Sequence, residues 1–345
     1  MPDYSQISFQ ELLDALLNVD KRFHPRYLYR LSDLTGEDLN RLEAIWFEVP
    51  LWRRQALMED IEELGESDFV LSYEAVGRLA VKDADAKVRL LGVRTLWDLE
   101  EPELIPIYSD LLMNDPSPEV RAAAATGLGK FTYLGEIEGL PQKTLKKVED
   151  LLLTVINGKD APKVRCRALE ALGFSSREEV VPLIQAAYAS GNKEWIASAL
   201  FAIGRSANEK WTDQVVPMLQ NKVPSIRAEA ARAAGELEIK SVRQELFDLL
   251  EDDNEDVRAA AIWSLSQIGG EGVRDRLEEM QQTTQDAEEE DYLEAALDNL
   301  SFNEEVDLFT LYELDKDLEV GELTDLDDGM IEGDDFEGNN EDDEA

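Results

Sequence analysis

Apolar residues recur at helical stride along most of this chain, and from Val88 onward they keep a fixed beat. One slot is filled in turn by Val88, Val120, Val164, Trp195, Ile226 and Val257. Four residues on from each stands a small residue: Gly92, Ala124, Ala168, Ala199, Ala230 and Ala261. Seven on is small again, as Thr95, Gly127, Ala171, Ala202, Ala233 and Ser264. Eight on is apolar, as Leu96, Leu128, Leu172, Ile203, Ala234 and Leu265. Offsets of four, seven and eight share one helix face, so each copy is an amphipathic helix with small residues for close packing. Successive anchors stand 32, 44, 31, 31 and 31 residues apart, the longest gap holding a 13-residue insertion around Phe131–Lys143. A period of that length leaves room for a second, outer helix per unit, and such units bury their apolar faces only by stacking. The pattern predicts an all-α solenoid of helix pairs.

The start signals agree with that phase. Asp85, Ser117, Asn192 and Asn254 precede the inner helices as N-caps. Pro118, Pro162 and Pro224 fall at the first helical position, where a missing N–H costs nothing. Outer helices are expected over 68–81, 103–113, 143–157, 178–189, 211–220, 241–251 and 272–282, with a last helix over 292–300. Ahead of the first clear copy, Ser8-Phe-Gln-Glu11 has the form of a capping box before Leu12, Leu13, Leu16 and Leu17. Trp52 is assigned to the anchor slot of a degenerate copy, since terminal repeats must cover an end of the core. Three segments result: 1–66 with N-terminal helices and a capping repeat, 67–302 with the repeat array, and 303–345 as an acidic tail. The insertion near 131–143 is expected as an edge loop, and the tail as disordered.

Charge narrows the partners. The 345 residues carry 76 acids against 34 Lys and Arg, a formal net charge of −42. The segment 303–345 holds 19 acids and a single base, Lys316, and the remainder is still acidic with 57 acids and 33 bases. Such a body repels phosphate backbones, which argues against nucleic acid; a basic protein or peptide fits better. The lone cysteine, Cys166, builds no disulfide framework and suits a reducing compartment. The N-terminus lacks the pattern of a signal peptide, and no run approaches 18 uncharged apolar residues. A cytoplasmic protein without a membrane segment is expected.

The string Asp-Pro-x-x-x-Val-Arg-x-x-Ala, present as Asp115 to Ala124, resembles the HEAT repeat superfamily. The short 31-residue beat is most similar to its phycobilisome-lyase-like branch. The likeness covers roughly Trp52 to Leu300 and departs at Ile196, which replaces the usual Arg. It implies a right-handed α-solenoid whose second helices line the concave side. It also implies scaffolding or protein recognition, with a few enzymes among the family's members.

Two rows of side chains are candidates for function. Arg89, Arg121, Arg165, Arg227 and Arg258 each follow an anchor, with Arg53 assigned beside them. Pairing with Asp83, Asp115 or Asp252 would make them a structural ladder; a carboxylate-rich ligand is the alternative. Positions three and six after the anchor share a second face. From these, Arg94, Arg167, Phe201, Arg232 and Trp263 are the expected groove contacts, since Arg and aromatic residues are favoured at interfaces.

Catalysis finds little support. His24 is the only histidine, which argues against the paired-His iron sites of HEAT-like deoxyhypusine hydroxylases. The acidic balance is the reverse of what HEAT-like DNA glycosylases use. Asp325 to Glu332 fails the calcium-loop pattern, with Thr324 and Leu326 in ligand slots. No metal and no cofactor are expected. The sequence points to a non-enzymatic scaffold that binds a protein or peptide. The alternative is a relative of the bilin lyases acting on a chromophore or in protein modification, with Cys166 as its candidate thiol. The oligomeric state stays open.

Overall fold

Helix caps set the first boundaries of the chain. The computed structural model describes residues 7–68 and 70–303, apart from the side chain of Glu66. The expected disorder of the acidic tail lies outside them. Ser8 opens α1 (Phe9–Leu17) by accepting the Glu11 N–H at 3.2 Å. The box is not reciprocal, because Glu11 instead accepts from the Tyr27 hydroxyl and from Arg26, both at 2.8 Å. His24 caps a 3₁₀ turn over Pro25–Leu31, its Nδ1 accepting the Arg26 N–H. The single histidine is thus used locally.

In chain order there follow α2 (Gly36–Ile45), α3 (Leu51–Ser67), α4 (Glu74–Ala80), α5 (Ala86–Thr95), α6 (Leu104–Asn114) and α7 (Pro118–Glu136). Then come α8 (Gln142–Asn157), α9 (Pro162–Ala171), α10 (Val180–Tyr188), α11 (Lys193–Arg205), α12 (Thr212–Val215) and α13 (Pro224–Glu236). Last are α14 (Arg243–Leu249), α15 (Glu255–Ile268), α16 (Val273–Thr283) and a helix over residues 287–303. No strand occurs among the described residues. The chain divides into two compact units, Met1–Ser264 and Leu265–Ala345, the boundary falling inside α15.

In the first unit the inner helices pack in succession, α5 on α7, α7 on α9, α9 on α11 and α11 on α13. Outer helices α6, α8 and α10 cover α7, α9 and α11. This stacking of helix pairs is the α-solenoid. The anchors Val88, Val120, Val164 and Val257 are fully buried, as are the small residues four positions on, such as Ala124, Ala168 and Ala199. In the second unit Leu265, Ile268, Val273, Leu277, Leu293, Ala296 and Leu300 are buried together. There Ser266 accepts from Asn299 at 3.0 Å.

A glycine nine residues after the anchor governs how close neighbours come. A Cβ on Gly173 would lie 2.8 Å from the Ala202 Cα, and one on Gly235 would lie 2.8 Å from the Ser264 Cα. On Gly129 and Gly204 it would meet the Ala171 and Ala233 Cα atoms at 3.2 Å. In each case the contacted backbone is the small residue seven after the next anchor. At 2.8 Å only an absent side chain permits that approach, and at 3.2 Å a methyl would crowd the neighbour.

Three expectations change. The insertion is only partly a loop: α7 runs on to Glu136 with Phe131, Thr132 and Gly135 buried, and residues 137–141 make the turn into α8. The segment 211–220 is not one helix, because Pro217 removes a donor and crowds the preceding turn. Four α-helical residues give way there to a 3₁₀ turn, Val216–Gln220. Pro106 and Pro182 sit in the first turns of α6 and α10, where they are tolerated. Finally, Trp52 does not fill the anchor slot, since it is 53% exposed. The slot belongs to the buried Arg53, with Leu57 and Ile61 buried four and eight residues on.

Helix α13 ends in a Schellman turn: Ile239 N–H donates to Ala234 O at 2.9 Å and Glu238 N–H to Gly235 O at 2.9 Å. The turn puts Glu238 at φ 47°, a left-handed position that costs an L-residue roughly 1 kcal/mol. Gly269, one repeat on, holds the same place at φ 60° without strain. Glu238→Gly is therefore expected to stabilise the protein by about 0.5–1 kcal/mol, seen as a higher midpoint in urea. Gly173→Ala should do the reverse, destabilising by about 2 kcal/mol because backbone cannot yield to the new methyl. A melting temperature equal to the parent's would mean that the inner helices are not held at contact there.

Candidate functional site

Aspartates five residues before the anchors organise the arginine row. The Asp115 carboxylate receives Arg89 of the preceding copy in a bidentate pair at 2.7 and 2.9 Å. Its own carbonyl receives Arg121 of the same copy at 2.7 Å. Asp252 repeats the arrangement, taking Arg227 at 2.7 and 2.8 Å on its carboxylate and Arg258 at 3.0 Å on its carbonyl. Asp83 does so again, with Arg54 at 2.8 Å on the carboxylate and Arg89 at 3.0 Å on the carbonyl. Arg121 reaches Asp160 through two bonds of 2.7 and 3.0 Å. The partner of Asp83 is Arg54, not Arg53. Arg53 turns to the carbonyls of Asn18 and Lys21 at 2.8 and 2.7 Å. That is the consequence of the shifted anchor.

Where a rung lacks its acid, the chemistry changes with it. Arg165 donates to Ile156 O at 2.8 Å and lies over the Trp195 ring at 5.2 Å. Ile196 offers no guanidinium, and the next copy carries Asn221 in place of aspartate. Asn221 still accepts the Val223 N–H at 3.0 Å and still lends its carbonyl to Arg227 at 2.8 Å.

The second row forms a groove of about 310 Å³ across four successive copies. Leu90, Arg94 and Trp97 line it from the first, and Glu119, Ala122, Ala123 and Thr126 from α7. Lys163, Arg167, Glu170 and Ala171 follow from α9, then Phe201 and Arg205 from α11. Three expected contacts, Arg94, Arg167 and Phe201, are therefore brought together. Arg232 and the half-buried Trp263 sit on α13 and α15 and do not line this groove. Arg232 pairs with Glu229 at 2.6 Å, and burial pushes the Glu229 carboxyl above the ordinary range.

Within the groove, Arg94 bonds Glu62 at 3.2 Å and Arg167 pairs with Glu170. The buried Glu170 also accepts the Ser198 hydroxyl at 2.6 Å. Arg205 is different. Its guanidinium lies 4.2 Å from the Phe201 ring centre and 4.7 Å from that of Phe174. Its one hydrogen bond goes to Glu170 O at 3.3 Å, and it has no ion pair among the described residues. Burial pushes its guanidinium below the ordinary range.

Sequence inspection passed over Arg205 and Trp97. Both stand in columns that break rank: nine after the anchor reads Trp97, Gly129, Gly173, Gly204, Gly235 and Ser266. Ten after it reads Asp98, Lys130, Phe174, Arg205, Glu236 and Gln267. Cys166 is buried, and burial raises its thiol above the usual range. No cluster of three metal-ligating side chains occurs among the described residues. Nor is any described helix long and apolar enough to cross a membrane.

A family model described as HEAT repeats matches residues 74–154 and 212–298. Over those two stretches the chain carries HEAT repeats. Among solved structures it is similar to the Escherichia coli protein YibA, at 20% identity and TM-score 0.40 over 81% of this chain and 98% of that one. It is also similar to the CpcE–CpcF complex of phycocyanin lyase from a Nostoc species, at 17% identity and TM-score 0.44 over 66% and 94%. Human deoxyhypusine hydroxylase follows at 16% identity and TM-score 0.36, over 77% and 96%. Likenesses at this level carry nothing about activity. No curated protein matches the chain.

The Arg227–Asp252 rung has a pH signature. The hydrogen bonds from Arg227 hold the Asp252 carboxyl below the usual range, while the unfolded chain restores the ordinary value. Its contribution is therefore complete above about pH 4 and is lost as pH falls through the lower folded value. Arg227→Gln is expected to be less stable by about 2 kcal/mol near pH 7. Urea titrations at stepped pH should show that deficit shrinking from about pH 4 downward. A deficit independent of pH would deny the pair any electrostatic role.

Proposed function

We propose that this protein is a non-enzymatic scaffold that binds a protein or peptide along its inner-helix groove. One observation carries the proposal: Arg94, Trp97, Arg167, Phe201 and Arg205, from three separate inner-helix copies, converge on one continuous groove. Planar cations and aromatic rings at the centre of a contact surface are the side chains that dominate protein recognition. The repeat row between Arg and Asp serves, in the same proposal, to hold the copies in register. In the same proposal residues 1–66 include the capping repeat, 67–302 the repeat array and 303–345 the acidic tail.

The bilin-lyase alternative has less to stand on. Its candidate thiol, Cys166, is buried and disfavours the thiolate that attack on a chromophore requires. His24, the only histidine, caps a turn near the N-terminus and does not line the groove. A cytoplasmic setting remains the proposal that a single unpaired cysteine supports best.

Site-specific photocrosslinking tests the groove. A benzophenone side chain at Thr126, in the groove, should capture a discrete polypeptide from a cell extract, and the Phe201→Ala change should abolish it. The same probe at Lys147, exposed on α8, should capture none. Equal capture at both positions, or none at Thr126, would remove the groove from consideration.

A further inference from the structure

The net charge of the chain points to basic partners, but the groove does not share that charge. Its lining carries four cations, Arg94, Lys163, Arg167 and Arg205, against two anions, Glu119 and Glu170. Arg94 and Arg167 already have carboxylates. Arg205 and Lys163 have no ion pair among the described residues. The lining thus departs from the balance of the whole chain, which has 76 acids against 34 bases.

Arg205 defines the chemistry further. Phe174 and Phe201 flank the guanidinium at 4.7 and 4.2 Å, leaving its edge to offer hydrogen bonds. An edge of parallel N–H donors matches the two oxygens of a carboxylate. Half-burial makes the mismatch costly until such a partner arrives. The neighbouring lining, Leu90, Trp97, Ala122 and Ala123, is apolar and suits aliphatic or aromatic side chains beside that carboxylate.

We infer that the groove recognises an acidic peptide segment, with a Glu or Asp carboxylate seated on Arg205 and an adjacent apolar side chain on the Trp97–Ala123 wall. The inference rests on the groove proposed above as the binding surface and adds the charge of its occupant. Screening limits a distant charge to about 8 Å at physiological salt. Glu236 and Glu229, outside the lining, also act on Arg205; acids further off are screened.

Fluorescence anisotropy with the full-length protein tests it, using three labelled 15-residue peptides of alternating Leu/Phe and polar residues. The polar positions are Glu in one, Gln in the second and Lys in the third. The Glu peptide should bind at least tenfold more tightly than the Gln peptide, and the Lys peptide more weakly than both. Arg205→Gln should erase the difference between Glu and Gln. Arg205→Lys, which keeps the charge but not the planar fork, should retain part of it and guards against a variant that fails to fold. If the Gln or Lys peptide binds as well as the Glu peptide and Phe201→Ala abolishes binding, the acidic assignment is overturned while the groove proposal stands. If no peptide shows binding that depends on Phe201, both are overturned.

Discussion

Backbone contact between successive inner helices is the constraint from which the rest of the first unit follows. Gly129, Gly173, Gly204 and Gly235 each meet the main chain of the next copy where any Cβ would be crowded. Contact at this distance is how a stack of short helices accumulates dispersion and burial. The same closeness brings an arginine of one copy within reach of an aspartate in the next. Glycine in a helix lowers its intrinsic propensity, so tertiary contact must offset the loss. The repeat keeps the residue only where the neighbour's backbone is present.

The aspartate five before the anchor does two things with one residue. Its carboxylate satisfies the arginine of the previous copy, and its carbonyl satisfies the arginine of its own. In Asp83, Asp115 and Asp252 one carboxylate oxygen also accepts the N–H two residues on, which shapes the turn into the inner helix. The break at Ile196 shows that these jobs are separable. With no guanidinium to receive, the next copy has Asn221, which keeps the turn and the carbonyl but carries no charge. A buried aspartate without its arginine would be an uncompensated ion, and the chain avoids it.

Much of this was legible because it repeats. Anchors, small columns, caps and prolines recur with the same physical cause, so their agreement fixed the inner helices before any coordinate was known. Single events were less legible. The 13 extra residues at Phe131–Lys143 contain Gly135, Gly139 and Pro141 and read as a loop. Yet Phe131 and Thr132 find a core to enter, which carries α7 to Glu136. Trp52 reads as an anchor because Arg53 follows it as arginines follow the other anchors. The charged neighbour Arg53 is buried instead, because the carbonyls of Asn18 and Lys21 satisfy it. That compensation comes from α1's far end and has no trace in local periodicity.

Arg205 was missed for a related reason: its meaning depends on two copies at once. It follows Gly204 on α11, its flanking rings come from Phe174 of the preceding copy and Phe201 of its own, and its one acceptor is Glu170 O. In a column that reads Asp98, Lys130, Phe174, Arg205, Glu236 and Gln267 there is no consensus to violate, so a consensus search stays silent. Whole-chain charge misleads in the same way. It sums acids over the full length of the chain, whereas a groove ligand responds to groups within a screening length. Repetition reveals what every copy needs for packing. Positions where the packing rule makes no demand are free to differ, and the groove gathers several of those positions on one surface.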